Sequence, residues 1–446
     1  MSISGQSLPK STPGSLIQAS KKVLIAVFVM LMVFQGVKLW VTVLETKVTQ
    51  IADPSKPTNF EDYVVFYTAG RMVVNGEAAS LYNVEALREA EQDVLGRPID
   101  APEDAGVLPY FNPPFFAVLM VPLSLLPLDI STAVSFVLVC FLAVVCALNL
   151  VRILGLRGLQ GMLVIIWFLS WHSTAVAVVQ TQLTMLAFLA WLGFVLFEMR
   201  GQHGRSGLAL ALTLAKPQFL VLVLPLLVWR RRWRTLATIS TIGALLAAAS
   251  LLVTGPDVLI DYPKLLLESS QWEHRNSIDP SSMYGWGGFF RRSFGLSDLP
   301  LMIISGAASL ATIASVVYLF RRGWNPGQSD FAPRAAVILM ASLLISFHFY
   351  RQDLTLVPLA LVLGAWHSRE STGSWGVWPY LAALGSVVQY LDINYLFEGG
   401  TNIQTPFIIG LIGVLAWRGT SASSSVHELE GASERKDLVD RARAAA

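Results

Sequence analysis

Asp62 stands in the run NFEDYVVFYTAGRMVVNG, with Phe60, Tyr63, Phe66 and Tyr67 around it. A carboxylate partly shielded by aromatics ionises less readily than one in water, and can then accept a proton from a hydroxyl near neutral pH. Two other readings stand beside that one: Asp is a good N-cap for the helical stretch that follows, and Glu61 offers the same chemistry one residue earlier. Lys216 interrupts the apolar stretch 207–229, where an ammonium needs an acid partner, a watery cavity or a phosphate unless it snorkels to the interface. His348, Arg351 and Asp353 fall together in SFHFYRQDL. A cation and an imidazole at one turn suit a phosphate or diphosphate; an Arg351–Asp353 pair closing the turn is the alternative. Gln180 and Gln182, in VVQTQLTML, carry amides suited to sugar hydroxyls and equally to bonds between helices. The stretch QWEHRNSIDPSSMYGWGGFFRRSFG adds aromatic faces with Arg291 and Arg292, the makings of a sugar platform or of ordinary interface anchors.

The elements that hold these residues are set by composition. Of 446 residues, 54% are apolar and only 14% charged, and the mean hydropathy is +0.56. A water-soluble fold lacks a charged surface at that ratio, whereas a bilayer demands repeated apolar runs. The chain is therefore expected to be an all-α polytopic membrane protein with about eleven to thirteen membrane segments. Its first span begins after Lys21 and Lys22 and runs from Val23 to about Val43, without a small-residue cleavage site. Further spans are expected at 130–152, 160–178, 182–199, 207–229, 234–254, 299–320, 335–350, 353–367, 376–392 and 404–418. The Pro-rich segment 113–127 is open between a half-span, a re-entrant piece and a full helix. Residues 1–22 form a cytoplasmic N-terminal segment, 23–418 the membrane domain and 419–446 a Ser- and Ala-rich cytoplasmic tail.

Basic residues fix the expected sidedness. Arg152 and Arg157, Arg200 and Arg205, the run Trp229 to Arg234, and Arg321 and Arg322 all flank spans, and such groups stay in the cytoplasm. One alternation satisfies all of them if 207–229 is a broken hairpin bent at Lys216-Pro217, where proline removes a backbone donor. Residues 44–112 and 255–298 then face outward. The first of these is acidic and carries helical patches at Phe66 to Val74 and Leu81 to Leu95, a structured first outer loop. No Lys/Arg block suits nucleic acid. Cys140 and Cys146 are six apart, on different faces of a helix, and no metal-ligand spacing occurs.

In order along the chain, these segments resemble the membrane proteins of glycosyltransferase family 87, which have the GT-C fold. The series begins with Asp62, Tyr63, Tyr67, Gly76, Leu81 and Tyr82, followed by Tyr110, Phe111, Pro113, Pro114 and Phe115 with PLSLLP behind them. The turn at Gln182 follows, then the small-residue helix from Gly207 to Lys216-Pro217 with its exit at Arg230, Arg231 and Arg232, and last His348, Arg351 and Asp353. The family's Gly-Gln-x-Asn turn is Thr181-Gln182-Leu183-Thr184 here, and the final third is only loosely comparable. The resemblance implies an inverting transfer of a hexose, mannose above others, from a polyprenyl-phosphate carrier to a lipid or glycan acceptor at the outer face of the cell membrane. It assigns Asp62 as the base on the acceptor hydroxyl. It also makes Lys216, His348 and Arg351 phosphate-binding candidates and leaves Tyr63, Tyr67 and Gln182 as sugar or acceptor contacts. No cofactor, nucleotide or metal is implied. The rival from another class is a transporter or flippase of a lipid-linked sugar, which broken helices and intramembrane charges also fit.

Overall fold

The computed structural model describes residues 13–53, 62–99, 108–269, 278–321, 323–328, 330–392 and 400–417. Glu61, Phe60, Arg322, the 270–277 part of the segment expected as a second outer loop and the tail 419–446 lie outside them. The described residues form an all-α protein. Its helices in chain order are α1 (Pro13–Ala52), α2 (Asp62–Asn75), α3 (Val84–Leu95), α4 (Pro114–Ser124), α5 (Leu128–Ile153) and α6 (Gly158–Leu169). There follow α7 (His172–Val179), α8 (Thr184–Met199), α9 (His203–Ala211), α10 (Val223–Trp229), α11 (Trp233–Thr254) and α12 (Val258–Ser269). The last are α13 (Trp286–Phe294), α14 (Asp298–Phe320), α15 (Phe331–Ile345), α16 (Leu356–Thr372), α17 (Trp378–Leu391) and α18 (Gln404–Trp417).

Four of these, α1 from Val29 onward, α5, α11 and α14, are long and apolar enough to cross a membrane, with α6 and α7 a fifth if that pair, bent by 59°, is counted as one. Their outward side chains are apolar where water would demand polar ones: Phe34, Phe141, Leu245, Leu252, Met302 and Leu310 are all exposed. That is the surface of a helical membrane protein. By contrast α15 and α16 are apolar on every side and wholly buried for most of their length, the pattern of a helix enclosed by others.

One segment expected as a single span is interrupted, and the open case at 113–127 is short. The stretch 160–178 breaks at Ser170-Trp171. The segment 113–127 yields only the 11 residues of α4, which starts on Pro114 and is followed by Pro127 at the cap of α5. At about 1.5 Å per residue α4 is about 17 Å long, roughly half a bilayer core. The first helix, in the other direction, outlasts its apolar run and continues past Val43 to Ala52.

The apolar interior has two parts. The larger is built from α5, α7, α8, α15 and α16 with their neighbours. The smaller joins α2, α3 and α4 to Tyr110, Ala215 and the α12 residues Val258 and Leu265. The acidic segment after α1 is thus a packed subdomain in its described part, 62–99. Helix α3 has Asn83 as its N-cap, accepting from the amides of Glu85 and Ala86, and ends on Gly96 in the left-handed conformation at φ 64°.

The course of 203–232 is legible from its bonds. Residues at both of its ends meet Glu198 near the end of α8: His203 Nδ1 lies 3.4 Å from that carboxylate and Arg232 Nη2 2.9 Å. Its middle meets the other end of α8, where Lys216 Nζ lies 3.3 Å from Thr184 Oγ1. The segment is a hairpin, the form in which one alternation of spans satisfies every basic flank, and its tip is the break between α9 and the 3-10 turn at Pro217–Leu220.

Candidate functional site

The site lies where the two apolar interiors meet. Asp62 opens α2 and is 9% exposed. Burial pushes its carboxyl up to about 6, against the pull of Lys216, of its own backbone amide, of Lys47 and of the Gln182 amide. Gln182 Nε2 donates to Asp62 Oδ1 at 3.3 Å. The amide is aimed by a tight turn between α7 and α8 in which Thr181 has φ 55°, the left-handed region that glycine enters without steric cost. A glycine would adopt that backbone freely, and the Gly-Gln-x-Asn turn that this one resembles has it at that place.

Facing Asp62 is a buried ion pair. Lys216 Nζ sits 2.8 Å from Asp353 Oδ1, and Thr184 Oγ1 donates to the same oxygen at 3.0 Å. Lys216 is held there because the chain breaks beside it. Pro217 starts the 3-10 turn, and Asn112, from the Phe-Asn-Pro-Pro turn ahead of α4, donates its amide to Ala215 O at 2.9 Å. Tyr82 Oη in turn donates to Asn112 O at 2.8 Å. The aromatic–Pro-Pro motif is therefore a brace for the lysine loop. Asp353 belongs to the 3-10 turn Arg351–Thr355, which leads into α16.

The segment 346–353 brings the other groups. The His348 ring lies over Phe111, centroids 5.1 Å apart, and beside Tyr350 at 6.4 Å. Burial holds its imidazole below the usual histidine range, Asp353 opposing and Lys216 assisting, so it is neutral at pH 7 and free to donate from one nitrogen. The Tyr350 phenol is raised by burial and by the charges of Asp279, Asp62 and Asp353. It therefore lies within electrostatic reach of both site carboxylates. Arg351 acts on His172, Tyr284 and Asp392. The segment between α11 and α14 covers this side: Tyr284 N donates to Phe349 O at 2.8 Å, and Tyr262 Oη donates to Phe111 O at 3.3 Å.

The structure thus brings Asp62, Gln182, Lys216 and His348 into one neighbourhood, with Arg351 attached to it through its own turn. The Arg351–Asp353 pair considered from sequence gives way to Lys216–Asp353. Tyr63 and Tyr67 have their hydroxyls engaged in packing: Tyr63 Oη lies 2.5 Å from Ser131 Oγ and accepts from Ser135 Oγ at 2.7 Å, and Tyr67 donates to Leu126 O at 2.7 Å. Those bonds fasten α2 to α5 and to the α4–α5 turn. Sequence reasoning missed Thr184, Asn112, Tyr350 and Lys47. For Lys47 a signal was present: Gly36, Val43 and Lys47 repeat at seven and four residues, and these are buried positions of α1 among the described side chains. Among the described residues no cluster of His, Cys, Asp or Glu is arranged to hold a metal ion, and Cys140 and Cys146 are free thiols.

Chemically, the arrangement offers a carboxylate poised to take a proton near neutral pH, an amide that orients it, and buried cations to meet negative charge. Residues 110–347 match the sequence profile of glycosyltransferase family 87, more than half of the chain. No curated protein and no solved structure matches it.

Proposed function

This chain belongs to glycosyltransferase family 87, and from that premise we propose that it transfers a hexose, mannose first among candidates, from a polyprenyl-phosphate carrier to a lipid or glycan acceptor, with inversion and with Asp62 as base. The acceptor oxygen attacks the anomeric carbon while its proton passes to Asp62. The bond from that carbon to the phosphate oxygen breaks, and the electron pair leaves with polyprenyl phosphate. Lys216 and His348 face the phosphate on which negative charge builds, and Arg351 meets it from the far side of the turn. Gln182, already on Asp62, is placed to bond a hydroxyl of the acceptor or the sugar.

The observation that carries this reading is the environment of Asp62. A buried carboxyl raised to about 6 is ionised at neutral pH yet basic enough to accept a proton in a transition state. The outward orientation is supported by α8: its Glu198 end gathers Arg232 and His203, while Lys216 and Thr184 are at the opposite end. Basic flanks retained in the cytoplasm put the Asp62 end outside. In this reading the chain has about eleven to thirteen membrane segments, with the 203–232 hairpin counted as a segment that enters and returns.

The test is release of hexose from polyprenyl-phosphate-mannose by protein purified in lipid, with and without glycolipid acceptors, for wild type and Asp62→Ala. Acceptor-dependent transfer that disappears in folded Asp62→Ala is the expected result. The bend between α6 and α7 and the break at Lys216-Pro217 also suit a transporter. Movement of intact lipid-linked sugar across the bilayer, with every donor left uncleaved, would replace the transferase with a flippase.

A further inference from the structure

Lys47 is a buried ammonium with nothing bound to it. It is 1% exposed, so its head does not snorkel to an interface, and among the described residues its Nζ has no hydrogen-bond partner. It lies on the inward stripe of α1 with Val43, against α5, and acts electrostatically on Asp62 and Cys140. Three unused donors on a buried cation are costly, and removing such a charge from a core is commonly stabilising. The arrangement is intelligible if an anion completes it.

The neighbours say which anion. Asp62 takes its hydrogen bond from Gln182 and none from Lys47, so the two charges feel one another without touching. Lys216, the other buried cation, is already committed to Asp353 and Thr184. A phosphate approaching Asp62 therefore meets Lys47 as the cation whose three donors are all unspent. In the apo cluster the two lysines balance Asp62 and Asp353. During transfer one negative charge moves from Asp62 to the departing phosphate, and the total is unchanged. Without Lys47 the buried cluster with a bound phosphodiester carries one further uncompensated negative charge.

We propose that Lys47 is a phosphate-binding residue of the donor site, reaching from the first membrane helix to the phosphate of a prenyl-phosphate carrier. This deepens the transferase reading and rests on it for the identity of the carrier. The ligand class is a phosphate monoester or diester on an isoprenoid chain.

The test uses farnesyl phosphate as probe, farnesol to control for the chain, and phosphatidylglycerol vesicles to control for a phospholipid headgroup. Thermal stabilisation of the purified protein in lipid is read for wild type, Lys47→Met and Lys47→Arg. Lys47→Met preserves the stem and removes the charge. It is expected to melt at or above wild type without ligand, and to weaken farnesyl phosphate binding by about tenfold or more. Lys47→Arg retains most of the binding, and farnesol shifts none of the three. Equal stabilisation of wild type and Lys47→Met by farnesyl phosphate would overturn the proposal. So would a lower melting temperature of unliganded Lys47→Met, which marks a structural lysine, or a response to phosphatidylglycerol alone. Unchanged binding with an acid limb of the pH–rate profile moved upward would make Lys47 a tuner of Asp62 and overturn it too. Binding is read without turnover, which separates the two ideas. Lys47-dependent binding in a protein that transfers no sugar leaves the phosphate site standing and removes the transferase, and transfer with Lys47-independent binding does the reverse.

Discussion

The two ends of α8 hold buried carboxylates in opposite ways. At one end Glu198 accepts from Thr235 Oγ1 at 2.5 Å, Arg232 Nη2 at 2.9 Å and Trp324 Nε1 at 3.2 Å, with His203 alongside. Two of the donors, Arg232 and Thr235, come from the start of α11, Trp324 follows α14 and His203 opens α9, and together they clamp the ends of the 203–232 hairpin to α8. At the other end Asp62 has one side-chain donor at 3.3 Å, and the nearby Lys47 has none of its donors used among the described residues. A saturated carboxylate is locked and spends its charge on stability. An undersatisfied one is kept ready to exchange a proton, and its burial costs stability. The difference separates a structural acid from a chemical one, although both are buried and both lie near a helix end.

Replacing the acid at each end breaks the comparison most directly. Asp62→Asn should lower kcat by about 10²–10⁴ with a melting temperature no lower than wild type, because it removes a buried charge that the fold does not need. Glu198→Ala should do the reverse. It strands Arg232 beside a buried gap and should cost about 3–5 kcal/mol, while whatever fraction remains folded keeps its turnover number within about twofold of wild type. Steady-state kinetics normalised to folded protein, set beside thermal melts, decide both. A large activity loss without unfolding in Glu198→Ala would erase the distinction.

The pH dependence sharpens it next. Asp62 has its carboxyl raised to about 6 in the folded state, above its ordinary unfolded value of about 3.9. Activity should therefore rise with pH through an acid limb near 6, as the base becomes ionised. The linkage has the opposite sign for stability. The folded protein holds the Asp62 proton more tightly than the unfolded chain. This group's contribution is thus most favourable below about 4 and is lost as pH rises through about 6, a change on the order of 2–3 kcal/mol. Wild type minus Asp62→Asn, compared by melting between pH 4 and 7.5, isolates that term. An acid limb near 4 would mean that the carboxylate is better solvated than the structure places it.

What the sequence made legible follows from what bilayers and motifs constrain. Apolar runs pointed to the all-α membrane architecture, and the basic flanks made a hairpin at Lys216-Pro217 the way to satisfy a single alternation, because both follow from transfer energies that act locally. Asp62, Gln182, Lys216 and His348 were each visible as polar groups in apolar company. Their partners were not. Lys216 and Asp353 are 137 residues apart, and Asn112 reaches Ala215 across 103; no local pattern encodes such a meeting. Lys47 escaped notice for a different reason. The apolar run ends near Val43, so the residues beyond it read as loop, yet the helix continues to Ala52 and keeps Lys47 on the buried side that it shares with Val43.

The smallest expected effect concerns the turn that aims Gln182. Thr181 sits at φ 55°, a region that costs a Cβ-bearing residue about 1 kcal/mol, and its hydroxyl is buried without a partner. Thr181→Gly relieves both. In a purely structural turn it should raise stability by about 0.5–1 kcal/mol, less the entropy that glycine returns to the unfolded chain. Turnover should be unchanged, because Gln182 keeps its backbone bond to Ala177 O and with it its approach to Asp62. A melt shifted upward at constant kcat and KM is therefore the signature of strain left over from a glycine-type turn. If KM for the acceptor or donor instead rises while the melt moves up, the unpartnered hydroxyl is there for the sugar. Strain at Thr181 would then belong with the undersatisfied end of α8, as another group held ready for a ligand.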